Sequence, residues 1–277
     1  MSLSGKALLA GVMGWPISHS RSPRVHGYWL EQYAIDGAYV PLAVAPDRFE
    51  EALKGLQAAG FRGVNVTVPH KEAALRACDT IDPDAKRIGA VNTIVFGDDG
   101  SIQGSNTDAY GFIENIRQTA AWSGSVAVVL GAGGAARAIC VSLIDAGATK
   151  IHLINRTKSR AESLFREFGD KIKVEDWKNR SDIILNASLL VNTTSLGMTG
   201  QPPLDINLDV LPSAAIVNDI VYAPLETPLL AMARSRGNIT IDGLGMLLHQ
   251  ARPGFEAWFG TDPEVTEAMR SIVLKSE

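Results

Sequence analysis

Cysteine, histidine and aromatic side chains are scarce in this chain: two Cys, five His, and Phe, Trp and Tyr together only 6% of 277 residues. Cys78 and Cys140 are too few and too far apart for a disulfide framework or a zinc site. Both fall within helical apolar patterns, so two buried thiols in a reducing compartment are expected, with no metal site. No stretch of about 18 uninterrupted apolar residues occurs, so no membrane span is expected. Positive charge is not in excess: 26 Lys and Arg stand against 30 Asp and Glu, a net charge of −4. That balance argues against general nucleic-acid binding, which needs a basic face. The segment Lys6–Val12 has neither a long apolar core nor a cleavage site of the secretory kind, so it reads as a first strand and the location expected is cytoplasmic. Internal repeats and low-complexity tracts are also missing. What remains is ordinary globular composition, 46% hydrophobic and 20% charged, with enough length for two modest domains.

The most informative segment lies between Val126 and Arg160. An apolar run, Val126–Leu130, suits a buried parallel strand. Gly131-Ala132-Gly133-Gly134-Ala135-Ala136 follows at once, and then a helical pattern through Ile139, Val141, Leu143 and Ile144. This is G-x-G-x-x-A in the strand–turn–helix setting of a dinucleotide-binding fingerprint. Gly131 permits the tight turn, Gly133 lets the backbone approach a pyrophosphate, and Ala136 allows close helix–strand packing. The helix N-terminus offers N–H groups and partial positive charge to phosphates. The next strand, Ile151–Ile154, ends in Asn155-Arg156-Thr157-Lys158-Ser159-Arg160. An NAD enzyme usually carries Asp or Glu there, on the ribose 2′-hydroxyl. An acid would repel a 2′-phosphate, whereas guanidinium groups can hydrogen-bond it in a fork, so the expected cofactor is NADP(H).

Alternating apolar runs and helical patterns elsewhere predict an α/β architecture. Strands are expected at Leu8–Val12, Ala38–Val44, Gly63–Val68, Thr93–Phe96 and Ser101–Gly104, the last two around the Asp98-Asp99-Gly100 turn. Helices are expected from Ser22-Pro23, as N-cap and N1, to about Ile35, from Pro46 to Gly60, over Glu72–Cys78 and Asp82–Ile88, and from Asp108 onward. Further strands are expected near Ser188–Asn192, Ala215–Asn218 and Ile239–Ile241, with helices between the strands of this half. Gly197–Pro203 and Tyr222–Pro228 read as loops. One helix should run from Met246 towards Trp258 and a last one over Pro263–Leu274.

Four polar clusters fall at strand ends or loops of the first half: Ser18–Pro23, Asn65–Lys71, Gly89–Thr93 and Gly104–Asp108. Hydroxyls, amides, one ammonium and one carboxylate in such places suit a small polyhydroxylated acid, and buried polar groups reject ligands lacking the matching hydroxyls. In order along nearly the whole chain, Gly14–Pro23, Asn65–Lys71, Gly89–Thr93, Asn106–Asp108, Gly131–Ala135, Asn155–Thr157, Asn192–Met198 and Gly243–Gln250 resemble the motifs of the shikimate dehydrogenase family. The resemblance implies NADP-dependent interconversion of 3-dehydroshikimate and shikimate, in aromatic amino-acid biosynthesis. It also implies an N-terminal α/β substrate domain over residues 1–107, completed by the C-terminal helices of 243–277. A Rossmann-type NADP-binding domain would cover 108–242, with the active site in the cleft between the two.

Carried over by position, the resemblance puts Ser20 and Ser22 on the substrate carboxylate and Thr67, Asn92 and Gln250 on ring hydroxyls. Tyr222 would lie at the cleft near substrate, and Lys71 and Asp108 would form the catalytic pair. Ile220 and Gly243 complete the implied cofactor set with Gly131–Ala135, Asn155, Arg156, Thr157 and Arg160. Reduction of a ketone leaves an alkoxide-like oxygen that needs a proton, so an ammonium beside it is apt, and a carboxylate would orient that lysine. Outside those motifs, Lys71 would be a solvated lysine and Asp108 a helix N-cap. Thr193 stands where alanine is common in the family and would add a hydroxyl on the nicotinamide side. Histidine–carboxylate pairs are the rival acid–base device, but His70 on a strand end should point away from Lys71. His19, His26 and His249 read as structural. The partners expected are the small-molecule substrate alone, in a monomer or homodimer. A quinate/shikimate dehydrogenase of broader range and a non-catalytic NADP-binding sensor are the alternatives.

Overall fold

The computed structural model describes residues 3–275. The chain divides into two compact units, the first running to Thr107 and resuming at Leu247, the second comprising Asp108–Met246. In chain order the first unit contains β1 (Leu8–Gly14), α1 (Ser22–Gln32), β2 (Gly37–Ala43), α2 (Phe49–Ala58), β3 (Gly63–Val66), α3 (Lys71–Ala77), β4 (Thr80–Ile81), α4 (Pro83–Ile88), β5 (Thr93–Phe96) and β6 (Ile102–Ser105). The second contains α5 (Asp108–Thr119), β7 (Val126–Leu130), α6 (Gly134–Asp145), β8 (Lys150–Ile154), α7 (Lys158–Phe168), β9 (Ile172–Glu175), β10 (Leu189–Asn192), β11 (Ile216–Asp219), α8 (Pro228–Ser235) and β12 (Ile239–Ile241). Most of α9 (Leu244–Phe259) and all of α10 (Glu267–Leu274) return to the first unit. No helix among the described residues is long and apolar enough to cross a membrane.

The first sheet has the order β2-β1-β3-β5-β6-β4. β1 is parallel to β2 and β3, whereas β5 is antiparallel to both β3 and β6. This mixture brings the end of β1, the end of β3, the start of β5 and the end of β6 to one edge. Asn65 pairs with Thr93, and Thr93 with Ser105. Helices cover both faces: Phe49 and Leu53 of α2 pack with Val64, Val66 and Ile94 on one side. On the other, Trp258 of α9 donates its indole N–H to the Ile94 carbonyl at 3.0 Å. Gly63 makes room for it, since a Cβ there would lie 2.2 Å from Trp258 Nε1.

The second sheet is wholly parallel, in the order β12-β11-β10-β7-β8-β9. Counted from β7, that is the 3-2-1-4-5-6 order of a doubly wound dinucleotide fold, with its switch point between β7 and β10. Every strand therefore delivers its carboxyl end to one edge.

Several elements differ from the sequence expectation. Ser22 is the first residue of α1 rather than its cap; Arg21 takes the cap place with no side-chain bond to the helix. A helix tolerates proline anywhere in its first turn, where N–H groups have no intrahelical acceptor, so Pro23 does not fix the boundary to one residue. β3 stops at Val66, and Lys71 opens a helix capped by His70 instead of ending a strand. Pro69, without an N–H, cannot extend the ladder. No helix joins β10 to β11; Leu204, Ile206, Leu208 and Leu211 pack there from irregular backbone. Pro202, Pro203 and Pro212, with Gly197 and Gly200 at positive φ, prevent one. Cys78 is half-buried in extended backbone after α3, while Cys140 is buried within α6. Burial raises both thiols, to about 11 and about 12, so both are protonated near neutrality.

Candidate active site

At the shared edge of the first sheet the polar clusters form a hydrogen-bonded shelf. Asn92 Oδ1 accepts from the Thr107 N–H at 2.9 Å and from Thr93 Oγ1 at 2.9 Å, and Asn92 Nδ2 donates to Thr107 Oγ1 at 3.1 Å. Asn65 Nδ2 donates to Thr93 Oγ1 at 3.1 Å and to the Asn92 carbonyl at 3.2 Å. The start of α3 is tied to the same group, because the Lys71 carbonyl accepts from the Val91 N–H at 3.0 Å. Thr67 follows β3 beside the end of β1: a Cβ on Gly14 would stand 2.6 Å from Thr67 Cγ2. From the end of β1 the chain continues into the Ser20 turn, where the Ser22 N–H donates to Ser20 Oγ at 3.3 Å. Ser20, Thr67 and Lys71 are half-buried, while Ser22 and Asn92 are buried. Gln250, on α9 in the same unit, is half-buried and donates to the Leu247 carbonyl at 3.0 Å.

Of the expected substrate and catalytic residues, Ser20, Ser22, Thr67, Lys71, Asn92 and Gln250 belong to the first unit, and Asp108 and Tyr222 to the second. Asp108, buried, is the first residue of α5 and follows Thr107 directly in the chain. Asn65 and Thr107 are members of the shelf that reading residue by residue did not single out. The signal was present for Asn65, because an amide in the middle of a buried strand is costly unless fully bonded.

Neither His70 nor His26 is placed to act as an acid or base beside Lys71. His70 is buried, its Nε2 lies 2.8 Å from the Val44 carbonyl, and its ring stacks on Phe49 at 4.9 Å. His26 is fully buried, and burial pushes its imidazole down to about 3, which leaves it neutral near pH 7.

In the second unit the site is made of main chain. Gly131 has φ +111°, and its N–H donates to the Ile154 carbonyl at 2.7 Å, closing the turn after β7. A Cβ on Gly131 would lie 2.4 Å from Thr193 Oγ1, so only glycine lets the β7 and β10 loops meet at the switch point. Thr193 spends its hydroxyl on the Leu130 carbonyl at 2.8 Å, closing that junction rather than offering a donor to a cofactor. Gly133 and Gly134 face open space, and Gly133 caps α6 with no side chain over the first N–H groups. Ala132 and Ala135 are half-buried beside them, and Ala136 is fully buried against the core. Such an open, uncapped helix start is the geometry that receives a phosphate.

After β8, Asn155 Nδ2 donates to the Thr157 carbonyl at 2.7 Å and shapes the turn. Arg156, Thr157, Lys158 and Arg160 are exposed, and no ion pair or side-chain hydrogen bond engages the three cations among the described residues. Three uncompensated cations with no acid at that strand end fit a dinucleotide bearing a 2′-phosphate. Ile220 and Gly243 adjoin at the ends of β11 and β12, where a Cβ on Gly243 would lie 2.1 Å from the Ile220 carbonyl oxygen. A buried acid braces these loops: Asp219 accepts from Thr227 Oγ1 at 2.7 Å, Asn192 Nδ2 at 3.0 Å and the Val221 N–H at 3.1 Å. Burial raises the Asp219 carboxyl, and those three hydrogen bonds oppose the rise.

Sheet order, glycine turn and basic strand end together define a protein with a Rossmann-type dinucleotide-binding unit. The family models for the shikimate dehydrogenase substrate binding domain, for shikimate / quinate 5-dehydrogenase and for the shikimate 5′-dehydrogenase C-terminal domain match residues 12–94, 114–198 and 243–274. The chain is 58% identical over 275 residues to the shikimate dehydrogenase (NADP(+)) of Paramagnetospirillum magneticum, covering 98% of this chain and 100% of that one. Among solved structures it is similar to a shikimate 5-dehydrogenase of Thermus thermophilus in complex with NADP(H) and shikimate. That match has a TM-score of 0.86 and 36% identity over 96% of this chain and 98% of the other. It also resembles a quinate dehydrogenase of Corynebacterium glutamicum in complex with NAD, with a TM-score of 0.89 and 31% identity over 97% and 99% of the two chains. The chain belongs to the shikimate dehydrogenase family.

Proposed function

We propose that this protein is an NADP-dependent oxidoreductase that interconverts 3-dehydroshikimate and shikimate, the step that leads towards chorismate and the aromatic amino acids. The observation that carries the reading is near-complete correspondence with NADP(+)-dependent shikimate dehydrogenases, at 58% identity over 98% of the chain. The open α6 N-terminus and the exposed Arg156 and Arg160 support the cofactor.

NADPH, when bound, supplies the hydride. The chain's own residues bind, orient and manage the proton. Ser20 and Ser22 donate hydroxyl hydrogens to the substrate carboxylate, and Thr67, Asn92 and Gln250 engage the ring hydroxyls. Lys71 holds the proton that the carbonyl oxygen acquires on reduction, and stabilises the negative charge that develops there. Asp108 orients that ammonium and favours its charged form, and Tyr222 borders the substrate. Gly131–Ala135 and the N–H groups of α6 receive the pyrophosphate, Asn155, Arg156, Thr157 and Arg160 the 2′-phosphate ribose, and Ile220 and Gly243 the nicotinamide side. A sensor would have no need of the Lys71–Asp108 pair. The reading extends to a cytoplasmic enzyme working as a monomer or homodimer.

Steady-state assays with shikimate and quinate, each against NADP and NAD, test this directly. Shikimate should exceed quinate by at least about tenfold in kcat/KM, which needs only ~1.4 kcal/mol of differential transition-state binding. NADP should be preferred over NAD. Equal efficiency on the two acids, or preference for NAD, would favour a quinate/shikimate dehydrogenase of broader range.

A further inference from the structure

Under the Asn65 part of the shelf lies an aromatic layer to which the reaction above assigns no part. Tyr39, on β2 and buried, donates its phenolic O–H to Asn65 Oδ1 at 2.6 Å. The direction of that bond follows from Asn65 itself. Its amide nitrogen is already spent on the Asn92 carbonyl and Thr93 Oγ1, so its oxygen must face the phenol. Burial raises the Tyr39 phenol well above its ordinary range, so it stays protonated and able to donate near neutrality. The ring is held by a stack: His26 lies parallel to it at 3.9 Å and 6°, with Trp29 and Trp258 each 5.7 Å from the imidazole and Phe255 at 5.8 Å. Being neutral, His26 serves there as a flat aromatic slab.

We propose that Tyr39 is a positioning residue for substrate recognition: clamped by His26, its phenol fixes the direction of the Asn65 amide and, through it, of the Asn92–Thr107 network that reads the hydroxyl end of the ligand. The proposal rests on the reading that this shelf binds a hydroxylated carboxylic acid. An amide can turn over and exchange donor for acceptor. Without the phenol the buried Asn65 oxygen loses this donor and must tilt towards another, because an unsatisfied buried acceptor is costly. The tilt passes through Asn92 to Thr107, which share the network.

The test is Tyr39→Phe, which keeps the ring, the stack and the burial and removes one oxygen. Shikimate KM should rise about 5- to 50-fold, kcat should stay within about threefold, and NADP affinity and melting temperature should be almost unchanged. With shikimate analogues lacking one ring hydroxyl, at least one should show little further loss in the variant, because the group that Tyr39 positions then has nothing to bind. His26→Ala, which leaves the phenol but removes its clamp, should raise the same KM by a smaller factor. Wild-type shikimate KM in Tyr39→Phe overturns the proposal, as does an equal loss for shikimate and NADP. Should Tyr39→Phe not fold, an unaltered shikimate KM in His26→Ala overturns it alone. Failure of the wild-type enzyme to turn over shikimate strikes the reaction instead, so the two failures are distinguishable.

Discussion

The two units present polar groups at a sheet edge by opposite means. In the first, Asn65, Asn92, Thr93 and Thr107 bond to one another by side chains, and the edge exists because an antiparallel strand has been inserted into a parallel sheet. In the second, all six strands are parallel, and what the edge offers is main chain: the turn at Gly131 and the bare N–H groups of α6. Side-chain recognition can discriminate between similar small molecules, because each unmatched amide or hydroxyl carries a penalty. Main-chain recognition of a pyrophosphate is indifferent to the rest of the ligand, so under the proposed reading selection between NADP and NAD would fall to the few side chains after β8. Specificity for the acid would be spread over a network, and specificity for the cofactor concentrated in two or three exposed cations.

The largest effect expected from this division is on chemistry alone. Lys71→Ala should lower turnover by roughly 10²–10⁴, with NADP binding intact by fluorescence titration. Asp108→Asn should also be strongly impaired, and the double variant should lose less than the product of the two defects. Turnover of Lys71→Ala within severalfold of wild type would remove the side-chain unit from the proton transfer.

A middle-sized effect should separate the cofactors. Neutral replacements of Arg156 and Arg160 should weaken NADP by about ten- to a hundredfold per residue and NAD far less, since a charge-assisted bond contributes roughly 1.5–3 kcal/mol. Comparable losses for both cofactors would show that the arginines serve the fold and not the phosphate.

The smallest effect should touch neither ligand. On the edge pair β8–β9, Glu175 Oε1 lies 2.9 Å from His152 Nδ1 and 3.0 Å from Lys173 Nζ. Burial pushes the Glu175 carboxyl up, but hydrogen bonds from Lys173 and His152 outweigh it and hold the group below its ordinary 4.5. A depressed folded value means stability present above the unfolded value and lost as pH falls through the folded one. Glu175→Gln should therefore cost about 0.2–1 kcal/mol in denaturant melts at pH 7, and nothing once the wild-type carboxyl is protonated. A cost independent of pH would assign Glu175 a packing role instead.

Much of this division was legible in the sequence, for reasons that differ between the units. Val126–Leu130 followed by Gly131-Ala132-Gly133 is continuous in the chain, and a buried parallel strand writes itself as an unbroken apolar run. β9 was not legible: Ile172-Lys-Val-Glu175 is a four-residue edge strand, half of it polar, and its place depends on pairing with β8. Two-residue β4 is beyond any periodicity. Ser20, Ser22, Thr67, Lys71 and Asn92 stood out as polar clusters, but their assembly needed the sheet order. Asn65 gave a signal as an amide in a buried strand, but its partner Thr93 lies 28 residues away, and Thr107 was hidden because its partner Asn92 lies 15 residues away. Tyr39 was hidden more thoroughly, since a tyrosine in a strand reads as core until its oxygen is followed to Asn65.

The return of the chain to its first unit has a consequence for how the molecule is made. Trp29 donates to the Glu264 carbonyl at 2.9 Å, and Tyr33 accepts from the Glu264 N–H at 3.1 Å, so α1 is seated against residues translated some 230 positions later. The second unit is one uninterrupted stretch and can close as soon as it leaves the ribosome. The first is not finished until α9 and α10 emerge. Until Trp258 emerges, the nascent chain carries an N-terminal sheet that lacks its indole cover. That is the interval in which apolar surface is open to aggregation or to a chaperone.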